Sequence, residues 1–203
     1  MKNRLATAVF LFVLPILAMM YEPTALANEK ESVETPSFFV GDTWEYRTLF
    51  TKYTGTVVEV TPEGNHNITV TSYPGTKFIR DKNLAVIKTE GTPVDERSFI
   101  GWKFIDFPMT PGKKFSYRVQ GVTAEFTITI EAVKWENVKV PAGKFRALRI
   151  EGCWKNESSG WYDCGMTFWF APEVKVFVKR QTPSTWTASL RNTDFELTSF
   201  SVK

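Results

Sequence analysis

From residue 38 to the C-terminus, apolar and polar side chains trade places in run after run, and no stretch sustains apolar residues at i, i+3, i+4 and i+7. A period of two puts successive side chains on opposite faces of a strand, so the pattern predicts β structure throughout. Phe126, Ile128 and Ile130 alternate with Glu125, Thr127, Thr129 and Glu131, as a sheet with one wet face requires. A strand over 40–47 sets Trp44 and Tyr46 on one face and Thr43, Glu45 and Arg47 on the other. Further strands are expected over 55–60, 68–73, 77–80 and 84–88. PEGNHN at 62–67 and YPG at 73–75 separate them with residues suited to tight turns. Short strands joined by short turns make a meander.

The segment 138–180 reads as a β-hairpin marked at both ends. Pro141 and Gly143 suit positions i+1 and i+3 of a type I turn, which leads into a strand at Phe145. KNESSG at 155–160 is the hairpin turn, and the return strand runs from Trp161 to Ala171, where Pro172 stops the ladder for want of an N–H. Centred between Ser158 and Ser159, the hairpin pairs residues whose numbers sum to 317, so Cys153 faces Cys164 and Leu148 faces Trp169. Directly opposed residues bring Cα atoms to roughly 4.5 Å, within reach of a cross-strand disulfide. In a reducing compartment the same two residues would be buried free thiols.

GDTWEYR at 41–47 and GKKFSYR at 112–118 share the form G-x-x-aromatic-x-Tyr-Arg at an offset of 112 − 41 = 71, and Thr56-Val57 falls on Thr127-Ile128 at the same offset. Two such units would bury their apolar faces by closing on each other. The fold class expected is therefore all-β, an antiparallel meander with an internal duplication that closes into a barrel or half-barrel.

The N-terminus decides the compartment. Lys2 and Arg4, an apolar run from Leu5 to Met20, and Ala25-Leu26-Ala27 form the three parts of a secretory signal over residues 1–27, with cleavage before Asn28. The run is shorter than the roughly 20 residues of a spanning helix and holds Pro15, so stable membrane insertion after cleavage is not expected. No cysteine follows the cleavage site to carry a lipid. A periplasmic or secreted location follows, and an oxidising compartment favours the disulfide. The mature chain has 203 − 27 = 176 residues: a polar, flexible leader at 28–37 and a single domain at 38–203. Its 23 basic and 21 acidic groups are too balanced to imply nucleic acid as a partner.

The pieces VGDTWEYR at 40–47, FPMTPGKKF at 107–115, VPAGKF at 140–145 and FWFAPEVKVFVKR at 168–180 resemble a family of exported bacterial proteins of unknown function. Their fold is similar to the half-barrels of periplasmic lipoprotein carriers. The resemblance covers most of 38–203 and implies fold and export; it implies no catalytic residue. Lys175 departs from the Val-Gly expected after the W-[FY]-A-P motif.

Candidate chemistry is sparse. The one histidine, His66, lies in a polar turn between Asn65 and Asn67, and no C-x-x-C, P-loop, G-x-G-x-x-G or G-x-S-x-G is present, so neither a metal nor another cofactor is expected. Glu45, Asp106, Glu131 and Asp163 are the carboxylates that could pair for glycan chemistry. The surplus is aromatic: Trp44, Tyr46, Trp102, Phe104, Phe115, Tyr117, Trp135, Trp154, Trp161, Tyr162, Phe168, Trp169 and Trp186. Such residues pack β cores, and as a set they can also line the mouth of an open barrel. Trp44 and Trp169, each beside a marked turn, are the candidate ligand-binding residues. The expected function is a non-enzymatic binder of an apolar or amphipathic small molecule; the alternatives are an envelope structural or interaction module and a carboxylate-dependent glycan-active enzyme.

Overall fold

The computed structural model describes residues 31–95, 98, 100–183 and 194–203. The expected signal peptide at 1–27 and Trp186 lie outside the described residues. Eleven strands form one antiparallel sheet: β1 Thr43–Arg47, β2 Lys52–Val60, β3 His66–Val70, β4 Thr76–Arg80, β5 Val86–Gly91, β6 Lys114–Gln120, β7 Glu125–Val140, β8 Gly143–Asn156, β9 Tyr162–Ala171, β10 Val176–Gln181 and β11 Phe195–Ser201. Their spatial order is β5-β4-β3-β2-β1-β11-β10-β9-β8-β7-β6. Two meanders, β1–β5 and β6–β11, are thus joined where β11 pairs with β1. The sheet is not closed, because β5 and β6 stand at its two edges. The fold is an all-β half-barrel.

Both segments of the sequence match open a meander, each behind a glycine of left-handed φ, Gly41 at 94° and Gly112 at 88°. The pairing register is not shared: Thr56 pairs with Thr43, whereas Thr127 pairs with Arg118 and Lys114 with Glu131. The likeness lies in how the strands begin, not in which residues face each other.

Two apolar clusters hold the sheet. One gathers Trp44, Val57, Ile68, Phe78, Phe145, Trp169, Val178 and Leu197. It includes the tip of the β7–β8 hairpin, where the Ala142 N–H donates to the Leu197 carbonyl. The other packs Ile128, Ile130, Leu148, Ile150, Phe168 and Phe170 against Ile105, Phe107 and Met109 of the chain that crosses from β5 to β6. That crossing chain is pinned by Lys113, whose ammonium bonds the Asp106 carboxylate and the Pro108 carbonyl.

Three expectations are corrected. The leader is not loose from residue 31 on: Val33 is buried and exchanges both backbone hydrogen bonds with Met109, and Glu31 pairs with Arg146. Its single apolar residue is what buries it. The hairpin register holds from Lys155 to Cys153 and then slips by one, so Leu148 faces Phe170 and Trp169 faces Arg149. Gly165, at φ 110°, is the extra residue of the bulge. His66 is not in a turn; it opens β3 with 1% exposure, paired to Val60 and Arg80.

Candidate ligand-binding site

Between β1 and β2 the chain turns through Thr48 to Thr51. The Thr48 hydroxyl accepts from the Phe50 and Thr51 N–H groups, so side chain and backbone close the turn without help from its middle residues. Leu49 and Phe50 therefore project, at 71% and 72% exposure. They form one wall of a cleft of about 690 Å³, opposite the ends of β10 and β11. Phe195 adds to the apolar wall, and Arg47, Lys179, Arg180, Asp194 and Glu196 carry its charge. Arg47 and Lys179 each pair with Glu196 at 3.2 Å. Arg180 makes no salt bridge among the described residues; its guanidinium lies 5.6 Å from the centre of the Phe168 ring.

Inward from Phe195 the aromatic surface continues. The Tyr46 ring lies 5.0 Å from that of Phe195 and 5.2 Å from that of Tyr53, its direct partner across β1 and β2. Burial drives both phenols away from ionisation, Tyr53 to about 12 and Tyr46 further still. The positive charge of Arg80 opposes that shift at both hydroxyls, and Arg180 opposes it at Tyr53. Tyr53 thus lies within electrostatic reach of both arginines. Burial in turn pulls the Arg180 guanidinium down to about 10, with Asp194 and Tyr53 resisting, and pulls Arg80 down as well. The Nε atoms of Arg80 and Arg180 are buried without hydrogen-bond partners.

His66, across the β3–β4 pair from Arg80, stacks on Phe38 with ring centres 3.9 Å apart. Burial first, and the Arg80 charge second, lower its pKa to about 3, so the ring is neutral at physiological pH.

The sequence-predicted residues fall elsewhere. Trp44 and Trp169 share the first apolar cluster at 4% and 8% exposure. The Trp44 indole donates to the Val174 carbonyl and the Trp169 indole to Glu136. Neither lines the cleft. Cys153 and Cys164 form a disulfide across β8 and β9, Cα atoms 4.0 Å apart. Glu45, Asp106, Glu131 and Asp163 lie on different parts of the fold: Lys52 is the neighbour of Glu45, Lys103 and Lys113 of Asp106, Lys114 of Glu131, while Asp163 accepts from the Cys164 N–H. Among the described residues no group of three His, Cys, Asp or Glu side chains could hold a metal ion.

Leu49, Phe50, Arg180 and Phe195, which wall the cleft, did not stand out in the sequence, since a turn and the ends of β10 and β11 bring them together from distant segments.

No protein-family model and no curated protein matches the chain. Among solved structures it is similar to a candidate lipoprotein of Parabacteroides distasonis, at 12% identity and a TM-score of 0.42, over 85% of this chain and all of that one. The disulfide belongs to an oxidising, extracytoplasmic setting. No helix among the described residues is long and apolar enough to cross a membrane.

Proposed function

We propose that this chain is an exported binding protein for an apolar or amphipathic small molecule, acting by sequestration and not by catalysis. The observation that carries the reading is the cleft of about 690 Å³, walled by Leu49, Phe50 and Phe195 and continued inward by Tyr46 and Tyr53. Its size falls within the range of small-molecule sites, and its three apolar residues stand beside seven polar or charged ones, a make-up that suits an amphipathic ligand. An open sheet leaves that wall reachable from solvent. The resemblance to exported half-barrel proteins of unknown function agrees with the reading, and residues 1–27 supply its export signal.

The test is saturable binding of the neutral fluorophore N-phenyl-1-naphthylamine to delipidated protein, competed by long-chain amphiphiles. Phe50→Asp and Phe195→Ala should each weaken the probe about tenfold or more, as loss of a buried aromatic contact does. Failure of every amphiphile to bind would favour the second reading, an envelope structural or interaction module. One observation supports that alternative: Ile105, Phe107 and Met109 fill the face of β6–β10 with the protein's own side chains.

A further inference from the structure

Every pairing in the sheet is antiparallel, so the turns between strands stand at its two ends. One end carries the β3–β4, β1–β2, β10–β11, β8–β9 and β6–β7 connections in that spatial order; the other carries β4–β5, β2–β3, β9–β10 and β7–β8. Turns favour glycine and polar residues, because a large apolar side chain there gains no burial. The second end keeps to this: among the described residues of its turns, no large apolar side chain is exposed. The first end departs from it at every turn described in full. Exposed there are Tyr73 in the β3–β4 turn, Leu49 and Phe50 in the β1–β2 turn, Val122 in the β6–β7 turn, Trp161 in the β8–β9 turn and Tyr162, which opens β9. These six are half of the twelve exposed large apolar residues described; the others lie on strands or ahead of β1, some of them toward the second end, and none in a turn between strands. The turns do not need these side chains to form. The Gly121 N–H bonds the Ala124 carbonyl, and the Thr48 and Asn156 side chains close the other two tips.

We propose that this end of the sheet docks on a lipid bilayer, its apolar-tipped turns entering the interfacial layer. Successive turns at one end are two strands, roughly 10 Å, apart. Polar turn residues such as Thr51, Thr123 and Ser159 frame the tips, so the apolar groups are separate prominences. Such a rim is a poor protein interface, whose core is one packed patch. A bilayer takes each tip singly, and rings with a polar edge, as in Tyr73, Trp161 and Tyr162, suit the headgroup level. The charges beside the tips cancel: Arg47 pairs with Glu196, Arg118 with Glu125 and Lys155 with Glu157. That balance matches a zwitterionic headgroup layer and gives a polyanion no excess of positive charge to bind. The cleft opens at this same end, and Leu49 and Phe50 belong both to its wall and to the rim. An amphiphile leaving the bilayer thus meets the cleft along these two side chains. The docking stands on the turns alone, whereas the bilayer as the ligand's source rests on the binding function proposed above.

The experiment floats the exported protein with vesicles of dioleoylphosphatidylcholine, and separately with vesicles that also hold dioleoylphosphatidylglycerol, at low salt and in about 0.5 M NaCl. The protein should rise with the zwitterionic vesicles and stay with them at high salt, since apolar insertion is not screened. Trp161→Ser combined with Tyr162→Ser should lower partitioning about tenfold, whereas Val60→Ser, at an exposed apolar position at the far end of β2, should leave it unchanged. Neither Trp161 nor Tyr162 lines the cleft, so N-phenyl-1-naphthylamine binding measured without vesicles should be the same in the double variant. Val122→Asp, in a turn closed by backbone alone, should also weaken partitioning and keeps the test open where the double variant does not fold. Wild-type protein left behind by both kinds of vesicle would overturn the docking. So would binding to the anionic vesicles alone that salt reverses, an equal loss in Val60→Ser, or a self-associated wild type that the double variant turns into monomers. Vesicle binding without any probe binding would remove the ligand function and leave the docking standing.

Discussion

Asp42 shows how a single side chain can tie together parts of the chain that its local motif does not mention. Its carboxylate is fully buried and accepts from Lys175 Nζ at 2.9 Å, the Lys203 N–H at 2.9 Å and the Phe39 N–H at 3.0 Å. Burial pulls its pKa up, but these three donors outweigh it and hold the group below the ordinary carboxylate value. Lys175 itself adopts left-handed φ, 66°, which explains why glycine is expected at that position; here the ammonium bonded to Asp42 and to the Lys203 carbonyl holds the strained backbone. Asp42→Asn should cost about 3 kcal/mol at pH 7, because it leaves Lys175 without its buried partner. A folded pKa below the unfolded one means that this stability is fully present above about pH 4 and is lost as pH falls. Urea titrations of both proteins at pH 7 and pH 3 check it: an equal gap at the two pH values would refute the charge assignment. His66 gives a separate signal at higher pH. Its folded pKa of about 3 lies below the unfolded value near 6.5, so the unfolded chain takes up a proton first and stability declines below pH 6.5. The loss should reach about 2 kcal/mol by pH 5, above the range where carboxylates titrate, and His66→Phe should abolish it. GDTWEYR was readable as a strand opening, and Trp44 and Tyr46 on one face followed from it. The partners of Asp42 were not, since they stand 133 and 161 residues away.

The β8–β9 hairpin sets out what an element's sequence carries and where it stops. Asn156 accepts the Ser158 and Ser159 N–H groups on its side-chain oxygen, so the polar run at 155–160 builds its own turn and fixes the register at the near end. Cys153 therefore meets Cys164, and the disulfide follows from turn chemistry plus period two. Beyond it the bulge at Gly165 moves every partner by one, and a glycine in a strand was the available sign. Gly165→Ala should destabilise by about 1–3 kcal/mol, because φ of 110° suits glycine and an added Cβ would stand 2.8 Å from Pro183 Cγ. Cys153→Ala/Cys164→Ala together should cost somewhat under about 3 kcal/mol, as the closed loop is short. Thermal melts of the oxidised, reduced and double-alanine proteins measure it, and unreduced native protein should show no thiol reactive to alkylation.

At the scale of the molecule, the antiparallel meander was legible, while β10, β11 and the pairing that joins the two meanders were not. Nothing local says that β11 returns to β1, because that pairing joins the two ends of the domain through the register of Trp44 with Phe200 and Tyr46 with Leu197. Nor does the sequence say that 92–113, poor in strand pattern, supplies Ile105, Phe107 and Met109 to a core. Pairing β11 with β1 leaves β5 and β6 as edges, and the chain between them has to cross the face of the sheet. In crossing, it packs against β6–β10, apart from the aromatic surface of Tyr46, Tyr53 and Phe195 to which the proposed function assigns the ligand. The core made by the crossing chain and the proposed binding surface thus involve different residues, and substitutions can separate them. Ile105→Ala empties a fully buried site and should cost about 2–5 kcal/mol of stability, with amphiphile affinity unchanged in the protein that remains folded. Tyr53→Ala, on a ring only half-buried, should lower amphiphile affinity about tenfold with a smaller loss of stability. Chemical denaturation and probe displacement on the same two variants form the measurement. A loss of affinity in Ile105→Ala as large as that in Tyr53→Ala would place the ligand in the β6–β10 half, against the division argued from the crossing chain.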